Sequence, residues 1–245
     1  MQNRSYTPGY SVPVLSFMEQ RTAESHAGFF LPQLLPGWRL LDAGCGPGTI
    51  TLGLARKVHP GPVIGIDLEE SQFAKARKQA EQEDLNIEFH TANISHLPFS
   101  DGYFDAVFSH ALLQHLTDPE AALAELHRVL KPGGLLGVRA GDMGGTLIDA
   151  EGEGPAQGLA AYLAKSEKGG GDPYIGRKLG RLMRKAGFMV EGVSASYEVI
   201  TESLRRIGPS LAVQFAIPEK EHGLEAEDDP PFVALAWCEA IGRAR

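Results

Sequence analysis

The chain reads as an α/β protein, a mostly parallel sheet with helices on both faces. Three observations predict this. From Arg39 onward, short apolar runs alternate with helical patterns, the order that builds parallel sheets. The runs are almost continuously apolar, as strands buried on both faces are. The first run also ends in a tight glycine-rich turn, "LLDAGCGPGTIT", Leu40 to Thr51, a junction between a strand and a helix.

The elements follow in order. "RLLDAG" is a strand ending at Gly44, and "TITLGLARKV" is a helix. "PVIGIDL" is the second strand, and the helical "SQFAKARKQAEQ" follows it. "NIEFHTANI" is the third strand. "YFDAVFSHALL" contains the fourth, rich in aromatic and β-branched residues. "PEAALAELHRVL" is a helix with Pro119 in its first turn and Ala122, Leu126 and Val129 on one face. "KPGG" is a turn, and "LLGVRAG" is the fifth strand. "GRKLGRLMRKAGF" is amphipathic: Arg177, Lys178, Arg181, Arg184 and Lys185 oppose Leu179, Leu182, Met183 and Ala186. A solvated basic face is the ordinary reading, and an anionic acceptor or RNA the sharper one. "EKEHGLEAEDD" is a solvated acidic loop. "FVALAWCEAIG" is a strand or a helix, which periodicity leaves open.

One domain over residues 1–245 accommodates all of this. Two regions stand apart from the alternation. Residues 1–37 precede the first strand and include a helix-like stretch. Residues 142–175 are rich in glycine and follow a strand end, where either a lid or a surface excursion would sit. Right-handed crossovers bring the parallel strands' C-termini to one edge, and ligands of such sheets bind there.

The formal net charge of −8 disfavours nucleic acid as a partner. Cys45 and Cys238 make no disulfide framework, which fits a reducing compartment. The first residues lack the apolar run of a signal peptide. No run of about 18 apolar residues predicts a membrane span. A cytoplasmic location is the expectation. No HExxH or CxxC pattern occurs, so no metal is expected.

The chemistry gathers at strand ends. Gly44, Gly46 and Gly48 form G-x-G-x-G between strand and helix. Glycine permits positive φ and lets a ligand reach the backbone, and the N–H groups opening a helix are free donors for an anion. Asp67 ends the second strand, where a carboxylate can accept from two ribose hydroxyls or cap the helix over 70–82. Asn93 ends the third strand as an adenine contact or a turn residue. His110 ends the fourth, near a cofactor or an acceptor. Dinucleotide sites prefer G-x-G-x-x-G, and here the third glycine comes one residue early.

Together, "LLDAGCGPGTIT", "VIGIDLEESQFAKAR" and "ANISHLPFSDGYFDAVFSHALLQHLTDPEAALAELHRVLKPGGLL" resemble the class I S-adenosylmethionine-dependent methyltransferases, particularly the ubiquinone/menaquinone C-methyltransferase branch. The resemblance covers roughly residues 36 to 140. It implies a Rossmann-like sheet of seven strands, mostly parallel, with the last antiparallel. It implies S-adenosylmethionine as cofactor, with Asp42, Gly44, Cys45 and Gly46 beside its methionine part. Asp67 would hold the ribose with Leu68 beside the adenine, and Asn93 and Ile94 would face the adenine. The family often has an acid where this chain has Asn93. The resemblance also implies an N-terminal segment folded over the cofactor, making Tyr6, Tyr10, Glu19 and Arg21 candidates.

Methyl transfer is an in-line displacement that depends on positioning, and a base is needed only for a protonated acceptor. "SHALLQHL" offers His110 and His115 as candidate bases, with local packing the competing role for His115. The leading expectation is a methyltransferase acting on a small molecule, with the acceptor atom and oligomeric state open. A nicotinamide oxidoreductase, and an S-adenosylmethionine-binding protein that transfers no methyl, are the alternatives.

Overall fold

A computed structural model describes residues 12–149, 154–200 and 232–245. Five parallel strands form one half of the sheet: β1 (Leu40–Ala43), β2 (Val63–Asp67), β3 (Ile87–Thr91), β4 (Phe104–His110) and β5 (Leu130–Gly141), in the order β3-β2-β1-β4-β5. Strand order reverses between β1 and β4, so the ligand edge lies at their C-termini. β8 (Phe232–Arg243) runs antiparallel to β5 and to β7 (Met189–Val199). The segment left open between strand and helix is therefore a strand. Its alternating side chains feed both faces of the sheet, which also satisfies helical spacing over so short a run.

An eighth strand, β6 (Leu147–Asp149), lies within the glycine-rich region. Ala234 of β8 pairs with Leu147 on one side and Val199 on the other. β6 thus occupies the edge of β8 beyond the end of β5. The same region contains the helix α6 (Gly154–Lys168).

Helices cover both faces. α1 (Val12–Glu19), α2 (Ala23–His26) and α3 (Thr49–Val58) precede α4 (Ala74–Gln82), α5 (Pro119–Val129) and, after α6, α7 (Leu179–Lys185). The helix-like N-terminal stretch is thus two helices and a 3₁₀ turn at Leu31–Gln33. On one face, Phe30, Leu54, Phe108 and Leu135 pack together; on the other, Leu123, Leu126, Leu182 and Phe188 pack against Val107 and Leu136. β1 is buried along its whole length, Asp42 included, as a strand covered on both faces is.

Local chemistry sets the helix boundaries. Asp118 accepts from the Ala121 amide at 2.9 Å and Pro119 opens α5, while His127 and Arg128 sit at the negative end of its dipole. "KPGG" is not a separate turn before the fifth strand. β5 begins at Leu130, opposite Phe104, and the next registered pair is Leu135 with Ala106, so 131–134 bulge out of the ladder with Gly133 at φ +78°. No helix among the described residues is long and apolar enough to cross a membrane.

Candidate functional site

The glycine turn is built around positive φ at Gly44, Gly46 and Gly48 (+80°, +51° and +78°), which L side chains adopt only at a cost. Space is equally tight. A Cβ on Gly48 would stand 2.7 Å from the Ala76 Cβ, and one on Gly44 would stand 3.0 Å from Leu112, which follows β4.

The amides within the turn are taken, whereas the expectation of free donors concerned the N–H groups opening α3, which has no side-chain cap. Gly44 and Cys45 both donate to the Ile66 carbonyl, Gly46 donates to Asp67 Oδ2 at 2.9 Å, and Gly48 donates to the Cys45 carbonyl. Backbone donors must be satisfied, and the adjacent end of β2 satisfies these. The turn supplies close approach instead. Gln72 Oε1, buried without a hydrogen-bond partner, lies 3.6 Å from where a Cβ on Gly46 would stand, and the Met18 methyl lies 2.9 Å from that point. α1 therefore covers the turn, held by the Glu19–Lys75 ion pair at 2.7 Å.

Asp67 does not cap the following helix. Glu69 does, accepting from the Ser71 amide. Asp67 instead accepts from three amides: Gly46 on Oδ2, and Leu68 (2.7 Å) and Glu69 (3.2 Å) on Oδ1. Burial raises its pKa against the lowering effect of these bonds. Leu68 beside it is 69% exposed, an apolar side chain left at the ligand edge. Asn93 is exposed, and its Oδ1 accepts from Ser95, so the turn role is present. Ile94 is buried in the core with Ile64, Ile66 and Leu97.

Asp42 and Cys45 point into protein. Asp42 is 2% exposed and accepts from the Thr51 hydroxyl at 2.6 Å; burial pushes its pKa up to about 7. Cys45 packs with Leu52, Phe73 and Phe89, and burial pushes its thiol pKa well up, which removes it as a nucleophile.

At the end of β4, Ala111 adopts φ +54°, a conformation that a non-glycine residue holds only when its surroundings impose it. His110 before it is buried, with neither ring nitrogen hydrogen-bonded. It lies 5.0 Å, ring to ring, from His26 and 4.9 Å from Trp237. Burial, then Arg21 and Arg139, push its pKa well below the usual histidine range. His115 is pushed down to about 4 by burial and Arg21. Both rings are therefore neutral near pH 7. Tyr6 and Tyr10 lie outside the described residues.

The basic face of α7 and its preceding turn is largely spent on ion pairs. Arg177 grips Asp142 with two bonds of 2.6 Å, Lys178 pairs with Asp172 and Lys185 with Glu120.

Residues that no sequence motif marked join this edge. The registers align His110 with Arg139, Arg139 with Glu239, and Glu239 with Ser194. Registered neighbours share a face, so four strands contribute one polar row. Glu198, two residues along from Ser196, pairs with His26 at 3.4 Å. Polar residues recurring at alternate positions in β7 (Ser194, Ser196, Glu198) were the available signal; their partners come from β8, β5 and α2.

Comparison with known proteins adds family information. The methyltransferase domain family matches residues 41–138. An uncharacterized methyltransferase of Schizosaccharomyces pombe is 34% identical over 183 residues, covering 72% of this chain and 66% of its own. A demethylmenaquinone methyltransferase of Thermus thermophilus is 41% identical over 98 residues, 40% of this chain and 44% of its own. The chain thus spans from under half to about two thirds of the length of these curated relatives. Among solved structures, a SAM-dependent methyltransferase from Aquifex aeolicus aligns at TM-score 0.60 with 18% identity, over 96% of this chain and all of that one. At such identity the likeness concerns the fold.

Proposed function

The chain belongs to the class I S-adenosylmethionine-dependent methyltransferases, and from that premise we propose that it transfers the cofactor's methyl group to a small-molecule acceptor at the C-terminal edge of β1, β2 and β4. The observation that carries the cofactor assignment is the joined pair of Asp67 and the glycine turn. One carboxylate fixes the turn through Gly46 and, with three amides already bound, keeps a lone pair on Oδ2 for a ribose hydroxyl. The orphaned Gln72 oxygen over Gly46 fits a ligand with polar atoms close to the backbone.

In this reading Asp42, Gly44, Cys45 and Gly46 flank the methionine part, the last three through their backbone. Asp67 holds the ribose. Leu68, Asn93 and Ile94 form the adenine side, Leu68 by contact and Ile94 as support beneath. His110 stands nearest the acceptor and His115 is a supporting group. When bound, the sulfonium supplies an activated methyl carbon. The protein's task is to orient the acceptor and exclude water. The N-terminal segment and residues 142–175 close the site.

Calorimetry tests the assignment: S-adenosylmethionine and S-adenosylhomocysteine bind, and NAD does not. Incubating the protein and labelled cofactor with a cell extract then yields S-adenosylhomocysteine and a small product heavier by one methyl. Binding of NAD without binding of the sulfonium would overturn the reading, and cofactor binding without labelled product would leave a binding protein.

A further inference from the structure

Resting on the assignment above, we propose that the acceptor binds as an anionic oxygen on a flat apolar body, a phenolate, enolate or carboxylate, held by Arg21, Arg139, His110 and Trp237. Four buried donors, or donor-bearing rings, converge without hydrogen-bond partners: Arg21 Nε, Arg139 Nη1, Trp237 Nε1 and both nitrogens of His110. Each would carry a desolvation cost of about 1–3 kcal/mol if nothing accepted from it.

The cluster is built rather than loose. Arg139 is 5% exposed, donates Nε to Glu239 at 3.3 Å and lies 4.4 Å over the Trp237 ring. Glu239 is also satisfied by the Ser194 hydroxyl at 3.0 Å and by that of Ser196. The Arg139 Nη1 stands 4.0 Å from Glu198 Oε2, beyond hydrogen-bond reach, while Glu198 Oε1 serves His26. Arg21 lies over Phe17 at 5.1 Å and over Trp237 at 5.9 Å. The walls are therefore aromatic, and the loose ends are donors apart from Glu198 Oε2, which faces Arg139 Nη1. That combination suits a planar body ending in an acceptor atom.

The charge sign agrees. The groups facing His110 are Arg21, Arg139 and His26, with Glu198 and Glu239 behind the latter two; the charged neighbours that act on the ring all disfavour its protonation. Arg21 and Arg139 would oppose a cationic amine in the same way and favour an anion, against a burial that opposes either ion. Neutral His110 contributes a hydrogen bond and need not take a proton. When oxygen is the methylated atom, its lone pair attacks the methyl carbon, the O–C bond forms as the S–C bond breaks, and the broken bond's electrons return to sulfur. The acceptor's proton has already gone to solvent on binding.

The test is a spectrophotometric titration of 4-nitrophenol, whose ionised form is coloured, with the full chain and S-adenosylhomocysteine. Bound probe should be ionised, its apparent pKa lowered by about one unit or more. Arg21→Gln and, separately, Trp237→Phe should each weaken binding about tenfold, the loss expected for one charge-assisted or buried hydrogen bond. Two variants guard against one failing to fold. Displacement by benzoate would extend the site to carboxylates, and failure of benzoate to displace would restrict it to phenolates and enolates; either supports an anion site. Unchanged binding in both folded variants, an unshifted probe pKa, or benzylamine competing better than benzoate would overturn it. Calorimetry separates the two readings. S-adenosylhomocysteine bound without probe overturns the acceptor site alone, and probe bound without S-adenosylhomocysteine overturns the cofactor assignment alone.

Discussion

Asp67 and Asp42 are both carboxylates at strand ends, and their surroundings divide their roles. Asp67 collects three backbone amides. Asp67→Ala should therefore lower S-adenosylmethionine affinity at least about tenfold, from lost charge-assisted hydrogen bonds. It should also lower the melting temperature of the cofactor-free protein by several degrees, because the Gly46, Leu68 and Glu69 amides lose their acceptor. Calorimetry and thermal unfolding read the two effects, and an unchanged affinity would remove Asp67 from the cofactor site. Asp42 has one hydroxyl partner and no surface. Its folded pKa near 7 lies above its ordinary value near 3.8, so the fold favours the protonated form. That contribution is whole below about pH 4 and is lost as pH rises through 7, on the order of 4 kcal/mol in all. Asp42→Asn should be about as stable as the parent near pH 4 and more stable at pH 8. Melting curves across that range test it, and a deficit at every pH would show the carboxylate itself to be structurally needed.

At the scale of elements, the N-terminal segment is fastened to the sheet at Gly137 of β5. A Cβ there would stand 2.3 Å from Phe30 Cδ2, inside the packed ring group of Phe30 and Phe108. Gly137→Ala should cost about 1–3 kcal/mol by overpacking, or roughly 2–12 °C in melting temperature for a chain of this size. Adding Phe30→Leu should restore part of that loss, which a double-mutant cycle measures. Strictly additive losses would mean that the ring is not what Gly137 accommodates. The histidines act in the opposite sense to Asp42. His26, His110 and His115 all have lowered pKa values, through burial foremost. Their contribution is present above about pH 6.5 and is lost as pH falls toward 4.

At the scale of the molecule, α1 joins the glycine turn to the apolar cluster around Trp237. Met18 touches the glycine turn while Phe17 packs with Met143, Tyr162 and Trp237. Removing residues 1–20 should cost kcat/KM on the order of 100-fold, the penalty for mispositioned reactants, and cost the melting temperature much less, because the sheet core lies elsewhere. Methyl-transfer assays and thermal unfolding on the same preparation decide this. Full activity after the deletion would make the segment a covering without function.

The alternation of elements, the parallel half of the sheet, the glycine turn and the acid ending β2 were legible in the sequence because each is a local pattern. Strand runs, turn glycines and helix caps are set within a few residues, as Asp118 and Pro119 show for α5. What the tertiary structure decided depends on contacts between distant segments. The strand character of 232–243 appears only in its pairing with β5 and β7. The amides of Gly44, Cys45 and Gly46 are taken by Ile66 and Asp67, roughly twenty residues on, which no local pattern announces. Glu69, two residues past the strand, rather than Asp67 caps the 3₁₀ turn that opens the next helical stretch. Arg139, Glu239, Glu198 and Trp237 carry no motif and sit in otherwise apolar strands. Only the register of four strands places them beside His110, because a sheet sums chemistry across neighbours that sequence order keeps up to 129 positions apart (His110 to Glu239).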